Sequence, residues 1–274
     1  MSTRALNVNG IAIAVRESTG TGSPIVLVHG NSSSGQTFVR QLEGSLGQQH
    51  RVIALDLPGH GESARPTDPA ATYCLPGYAD VVVGVAQALG VEDAVFVGWS
   101  LGGHIVLEAS PRLPRAAGFF IYGTPPIAFP PAMAEAFLPH PAMAASFAAD
   151  LTEEQMDAYV AAFFKPGVTE LPEPFRVDIR RTDGQARAGL GGSIRPDGYL
   201  DEVVVVASLK QPLAIAQGEH EQLVNVAYLN SLIAPTLWRG AVQIVADAGH
   251  APHWEKPEAF SGLIDSFAAD CARA

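Results

Sequence analysis

One serine sits between two glycines where an apolar run meets a helical pattern. Residues 94–107 read Ala94-Val95-Phe96-Val97-Gly98-Trp99-Ser100-Leu101-Gly102-Gly103-His104-Ile105-Val106-Leu107. The segment Gly98-Trp99-Ser100-Leu101-Gly102 is a nucleophile elbow, in which a sharp strand-to-helix turn strains the serine backbone and exposes its hydroxyl at the top of a sheet. Gly98 and Gly102 are small because strand and helix pass too closely there for side chains.

A serine hydroxyl attacks poorly at neutral pH, so Ser100 needs a base within hydrogen-bond reach and an acid that orients that base. In enzymes with this elbow, acid and base follow the nucleophile in chain order. His250, in Ala248-Gly249-His250-Ala251-Pro252, lies just after the last apolar strand on a loop that returns over the sheet. It is the candidate base. The preceding strand ends in Gln217-Gly218-Glu219-His220-Glu221. Glu221, third after the glycine, is the candidate acid, and Glu219 is its competitor. Asp247 is too near His250 in sequence to approach the ring correctly and reads as structural.

The oxyanion of an acyl-transfer intermediate needs two prearranged backbone donors. The amide of Leu101, at the start of the elbow helix, is one candidate, and the amide of Asn31, after His29-Gly30, is the other. The Asn31 side chain could also touch substrate, and residues Asn31 to Ser34 equally suit a turn that caps a helix. Gly30 and Trp99, beside these two positions, are candidate substrate contacts. His104 is expected to pack beneath the elbow and His60 to serve a tight glycine-rich loop. His250 and His253 are close, but no His, Cys, Asp or Glu cluster has convincing metal-ligand spacing. Gly189-Leu190-Gly191-Gly192 lacks the strand-to-helix setting of a dinucleotide loop. Neither a metal nor a cofactor is expected.

Alternating strands and helices must hold these groups. Strands are expected at residues 11–17, 24–28, 52–55, 94–97, 117–122, 212–217 and 241–245, with helices at 36–48, 77–89, after Ser100, 224–233 and 257–270. This alternation implies a mostly parallel central sheet flanked by helices, an α/β fold. From 124 to about 211 it lapses. Residues 124–150 are dense in Pro, Ala, Phe and Met, a helix is expected from 152 to 164, Pro172 and Pro174 interrupt it, and residues 176–187 look helical again. The division expected is therefore a core domain of residues 1–123 and 212–274 with a cap inserted at 124–211.

Composition fits such an enzyme. The chain has 274 residues, 47% of them hydrophobic and 16% charged, enough to bury one large core. A formal net charge of −11 argues against nucleic acid or an anionic membrane as partner and favours a small, uncharged substrate. The first ten residues lack a signal-peptide pattern, no apolar run could span a bilayer, and the two cysteines are far apart, so a cytoplasmic location is expected. Phe129, Met133, Phe137, Met143, Phe147, Met156, Phe163 and Phe164 offer apolar surface suited to an acyl chain.

With Ser100, Glu221 and His250 in position, the chain resembles the α/β-hydrolase superfamily from end to end. More narrowly, it is similar to the metal-independent N-acyl-homoserine lactonases of that fold, which destroy bacterial quorum-sensing signals. The resemblance lies in His29-Gly30-Asn31-Ser32-Ser33-Ser34-Gly35, Asp56-Leu57-Pro58-Gly59-His60-Gly61, the elbow through His104, Gly123-Thr124-Pro125-Pro126, Arg181-Thr182-Asp183-Gly184 and the His250 loop. It implies Ser100 as nucleophile, Glu221 as acid, His250 as base, Asn31 in the oxyanion hole and Tyr159 facing the lactone. The expected reaction is lactone-ring hydrolysis, with a carboxylesterase acting on another small apolar ester as the alternative. A serine at the elbow argues against epoxide hydrolase and dehalogenase chemistry, which use a carboxylate there. A ligand-binding protein with an idle triad is the non-enzymatic alternative.

Overall fold

The computed structural model describes residues 1–130 and 132–273. Eight strands form one sheet: β1 (Ser2–Val8), β2 (Ile11–Glu17), β3 (Gly22–Val28), β4 (His50–Leu55), β5 (Val95–Trp99), β6 (Gly118–Tyr122), β7 (Leu213–Gly218) and β8 (Gln243–Val245), in the order β1-β2-β4-β3-β5-β6-β7-β8. Pairing is parallel from β4 through β8 and antiparallel only where β2 meets β1 and β4. The central strands β5, β6 and β7 are buried along their whole length, as continuous apolar runs covered on both faces must be. This is the α/β layout implied by the alternation.

β1 is an addition to the expected strands. Its side chains are mostly exposed, so no apolar alternation marks it. Its signal is instead Asn9-Gly10, whose φ values of 52° and 81° make the tight hairpin turn that pairs Val8 with Ile11.

Between β3 and β4 the expected single helix is broken. A 3₁₀ turn at Gly35–Phe38 leads into α1 (Val39–Glu43), Gly44 turns extended, and α2 (Ser45–Gln49) follows. After β4 come α3 (Pro69–Thr72) and the long α4 (Leu75–Leu89), which ends on a left-handed Gly90. The elbow helix is α5 (Leu101–Ala109).

Residues 123–212 separate β6 from β7. They hold α6 (Met133–Ala136), a 3₁₀ segment at Pro141–Phe147, α7 (Glu153–Ala161), α8 (Glu173–Arg181), α9 (Gly184–Ser193) and α10 (Glu202–Ser208). α7 starts in a capping box made by Thr152 and Gln155. Pro172 and Pro174 begin α8 rather than ending a helix, because proline in a first turn loses no hydrogen bond. The helix expected over 176–187 is two, since Thr182 and Asp183 are non-helical and the Asp183 carboxylate accepts from Gln185 N to cap α9. Three elements close the fold: α11 (Val226–Ser231), α12 (Pro252–Glu255) and α13 (Pro257–Cys271). Among the described residues no helix is long and apolar enough to cross a membrane.

One core-to-insert contact is sensitive to pH. Asp178 of α8 is buried and accepts a 2.7 Å hydrogen bond from Ser34 Oγ in the loop after β3. Burial pushes its carboxyl up to about 7, against the opposing pull of that hydrogen bond. A raised carboxyl binds its proton more tightly in the folded chain. Its contribution is therefore present at low pH and is lost as pH rises from about 4 through about 7, at a cost on the order of 4 kcal/mol. Asp178→Asn keeps an acceptor for Ser34 without the charge. Thermal melts should show the variant about 5 °C or more above wild type at pH 8.5, with the gap closing at pH 5. A gap independent of pH would refute this account.

Candidate active site

The elbow geometry follows from space. A Cβ on Gly98 would stand 2.3 Å from Gly102 O, and one on Gly102 would stand 2.1 Å from Val28 O, so neither position admits a side chain. The turn puts Ser100 at φ 53°, ψ −118°, a conformation that favours glycine, and Ser100 N donates to Tyr122 O on β6 to hold it. Thr124 Oγ1 donates to Ser100 O from the other side.

His250 and Glu221 meet as expected. His250 Nδ1 lies 2.8 Å from Glu221 Oε2, and the two side chains are only 2% and 3% exposed. Leu223 N donates to the other oxygen, Oε1, at 2.8 Å and holds the carboxylate in place. With Nδ1–H held by the carboxylate, Nε2 carries the lone pair. That atom is buried without a hydrogen-bond partner, and His250 shares a cavity wall with Ser100. Glu219, the competing acid, is half exposed and accepts from Asp247 N instead. Asp247 pairs with Lys165 and Lys256, which hold its carboxyl down at about 2.

Side chains from the elbow, the insert and α12 hold the histidine loop. Trp99 Nε1 donates to His250 O at 2.8 Å, and Phe163 lies nearly parallel to the imidazole with ring centroids 5.8 Å apart. Glu255 spans the loop and the insert, accepting from Gly249 N at 2.6 Å and from Lys165 N at 3.0 Å. No motif marks Glu255. Its partners become neighbours only when the segment after α7 folds onto the His250 loop.

The oxyanion loop is braced with equal care. Asp56, fully buried, accepts from Arg16 at 2.6 Å, from Gly35 N at 2.7 Å and from Glu62 N at 2.8 Å. His29 Nδ1 donates to Gly30 O and its Nε2 accepts from Leu57 N, so this imidazole works neutral. Burial lowers its pKa to about 4. The Asn31 side chain is occupied at both ends: Nδ2 donates to Ser146 O at 2.7 Å and Oδ1 accepts from Ser32 Oγ. One N–H of the amide is left over and Asn31 lines the cavity beside Ser100, so the side chain stays a candidate substrate contact and its backbone N–H a candidate oxyanion donor. Among the described residues no hydrogen bond consumes the amide of Asn31 or Leu101.

Between the sheet and the insert lies a cavity lined by Asn31, Ser100, Leu101, Tyr159 and His250 together with Met, Phe, Leu and Ile side chains. A mostly apolar wall with a few polar groups suits a small amphiphilic molecule. Tyr159 accepts from Ser146 Oγ at 3.1 Å, so its own O–H is free to donate into the cavity, and burial raises its pKa to about 12. Two expected substrate contacts do not line this cavity. Trp99 is fully buried beneath Ser100, packed against His250, His253, Phe163 and Phe175 because the strand turns its indole into the core. Gly30 serves packing, since a Cβ there would lie 3.0 Å from the Trp99 ring and 3.2 Å from Ser100 Cβ. His253 is buried among aromatic rings with its pKa pushed well down by desolvation, and no three metal-ligating side chains converge among the described residues. His104 lines the cavity rather than lying beneath the elbow, with Nδ1 2.8 Å from a carboxylate oxygen of buried Glu202.

Comparison with known proteins agrees with this geometry. The model of the Alpha/beta hydrolase family matches residues 25–263. Among solved structures, a mutant of the N-acyl homoserine lactonase AidH complexed with N-hexanoyl homoserine lactone is 36% identical with a TM-score of 0.95, covering 100% of this chain and 99% of that one. AidH complexed with N-butanoyl homoserine gives the same identity and TM-score, with 98% of that chain covered. Of the relatives by sequence, the pimeloyl-(acyl-carrier protein) methyl ester esterase of Stenotrophomonas maltophilia is 28% identical over 263 residues, 92% of this chain and 95% of its own. A 2-hydroxymuconate semialdehyde hydrolase from a Pseudomonas species is 26% identical over 258 residues, 92% of this chain and 89% of its own. From elbow, sheet order and matched length together, the chain belongs to the alpha/beta hydrolase family and is an ester or lactone hydrolase.

Proposed function

We propose that this enzyme opens the lactone ring of N-acyl-homoserine lactones, with Ser100, His250 and Glu221 as its triad and residues 124–211 acting as the cap. The whole-length likeness to a lactonase of that class carries the reading. A cavity whose wall is mostly apolar and which also holds Ser100 and His250 supports it.

Ser100 Oγ attacks the lactone carbonyl while His250 Nε2 takes its proton, and Glu221 stabilises the imidazolium that forms. The oxyanion receives hydrogen bonds from the amides of Leu101 and Asn31, the first helped by the N-terminal end of α5. His250 returns the proton to the departing ring oxygen, leaving an acyl-serine that still carries the homoserine hydroxyl. Water, deprotonated by His250, then releases N-acyl-homoserine and regenerates Ser100. The tethered hydroxyl competes with that water by re-closing the ring at high effective molarity. Tyr159, which lines the same cavity, is suited to hold that hydroxyl aside.

Incubation with N-hexanoyl and N-dodecanoyl homoserine lactones, followed by mass spectrometry, tests the reading. The expected product is heavier than substrate by one water. Free fatty acid would mean amide cleavage instead, and no conversion at either chain length would overturn the lactonase reading. In that event a carboxylesterase is the better reading, favoured by the methyl ester esterase among the full-length relatives.

A further inference from the structure

His104 is the cavity's second imidazole, and the triad does not use it. It follows Ser100 by four residues on α5, about 6 Å along the helix axis, and its side chain is only 10% exposed. Nδ1 lies 2.8 and 2.9 Å from the two oxygens of Glu202, whose side chain is fully buried and also accepts from Ile127 N at 2.7 Å. The ionised carboxylate can only accept, so Nδ1 carries its proton and Nε2 is the atom left over. Nε2 has no hydrogen-bond partner among the described residues, and the ring stands in a cavity wall beside Ile127, Phe137 and Met133.

A buried carboxylate is costly to keep in apolar surroundings, and nothing in the sheet requires this one. Leucine-like residues at 104 and 202 would pack the same wall. What the pair supplies is a single fixed polar atom inside an otherwise apolar acyl site. We infer that His104 is a specificity-determining residue whose Nε2 hydrogen-bonds an oxygen on the third carbon of the acyl chain, making 3-hydroxy- or 3-oxoacyl substrates the preferred class.

The reach agrees with this. Five bonds separate the scissile carbonyl carbon from that third carbon, about 6 Å when extended, which matches the spacing of His104 from Ser100 along the helix. Neutral His104 accepts from a 3-hydroxyl through Nε2. When it is protonated against Glu202, it donates to a 3-oxo group. Glu202 acts through His104 and is a positioning residue.

This inference rests on the lactonase reading for its substrate and on the cavity alone for its selectivity. The test compares kcat/KM for N-(3-hydroxyhexanoyl), N-(3-oxohexanoyl) and N-hexanoyl homoserine lactones in wild type, His104→Leu and the double variant His104→Leu/Glu202→Gln. The double variant avoids an unpaired buried charge while leaving an acceptor for Ile127 N, so it covers the case in which the single variant does not fold. Wild type should prefer at least one oxygenated substrate about fivefold or more, and the ratio should fall to near one in the double variant. Wild-type ratios below about two for both oxygenated substrates, or a preference that survives the double substitution, would overturn the inference. If no lactone is hydrolysed, the lactonase reading alone fails. The same ratio, read on methyl 6-hydroxyoctanoate and methyl octanoate, whose sixth carbon is likewise five bonds from the scissile carbonyl, then decides the role of His104.

Discussion

Ser100→Ala is expected to lower kcat by about five to six orders of magnitude while leaving the melting temperature nearly unchanged, and Ser100→Gly to be equally inactive but more stable. The size of the activity loss follows from the roles of the triad, since without Oγ there is nothing for His250 to deprotonate and only oxyanion stabilisation and binding remain. The stability contrast comes from the backbone. At φ 53°, ψ −118°, Ser100 has angles that a Cβ opposes and glycine adopts freely, and alanine keeps that Cβ. Relief on the order of 1–3 kcal/mol, less the entropy glycine gains when unfolded, leaves about 1 kcal/mol, or roughly 2–4 °C. Kinetics on any hydrolysed ester and calorimetry of both variants check the pair. Residual turnover above about 1% in Ser100→Ala would remove it as nucleophile. A Gly variant no more stable than the Ala variant would remove strain as the property of the elbow.

Such strain explains why the candidate nucleophile is legible in the sequence. Gly98 and Gly102 are dictated by contacts so close that no other residue fits, and an apolar strand on one side with a helix on the other leaves little freedom of interpretation. Glu221 and His250 are legible because each lies on the loop after a parallel strand, β7 and β8, where loops gather at the top of the sheet. What the sequence hides is whatever the fold assembles from distant segments. Glu202 reaches His104 across 98 residues, Glu255 reaches Lys165 across 90, and Asn31 reaches Ser146 across 115. No spacing encodes these pairs, because each needs the insert to be folded back over the sheet first. The same holds for Trp99. Its position beside the nucleophile suggests a substrate contact, yet strand alternation turns its ring downward, where it hydrogen-bonds the very loop that carries His250.

Substitution of the two competing carboxylates separates acid from bystander. Glu221→Gln should reduce kcat by about 10³–10⁴-fold with little change in KM, and Glu219→Gln should stay within about threefold of wild type. In the native arrangement one oxygen of Glu221 accepts from His250 Nδ1 at 2.8 Å and the other from Leu223 N at 2.8 Å, so both oxygens are in use. A glutamine has one acceptor for these two donors. If its oxygen stays with Leu223, its amide N–H faces Nδ1, and the ring answers by moving its proton to Nε2, where Ser100 needs a base. If its oxygen turns to His250 instead, the tautomer survives, but Leu223 N loses its bond and the imidazolium formed during attack has no charge to stabilise it. Either branch raises the barrier by about 4–5 kcal/mol. Glu219, half exposed and bonded to Asp247 N, touches neither His250 nor the cavity, so its neutralisation removes only a surface contact. Steady-state kinetics on both variants, with circular dichroism to verify folding, would reverse the assignment if Glu219→Gln carried the larger loss. Equal, small losses would mean that His250 needs no carboxylate partner at all.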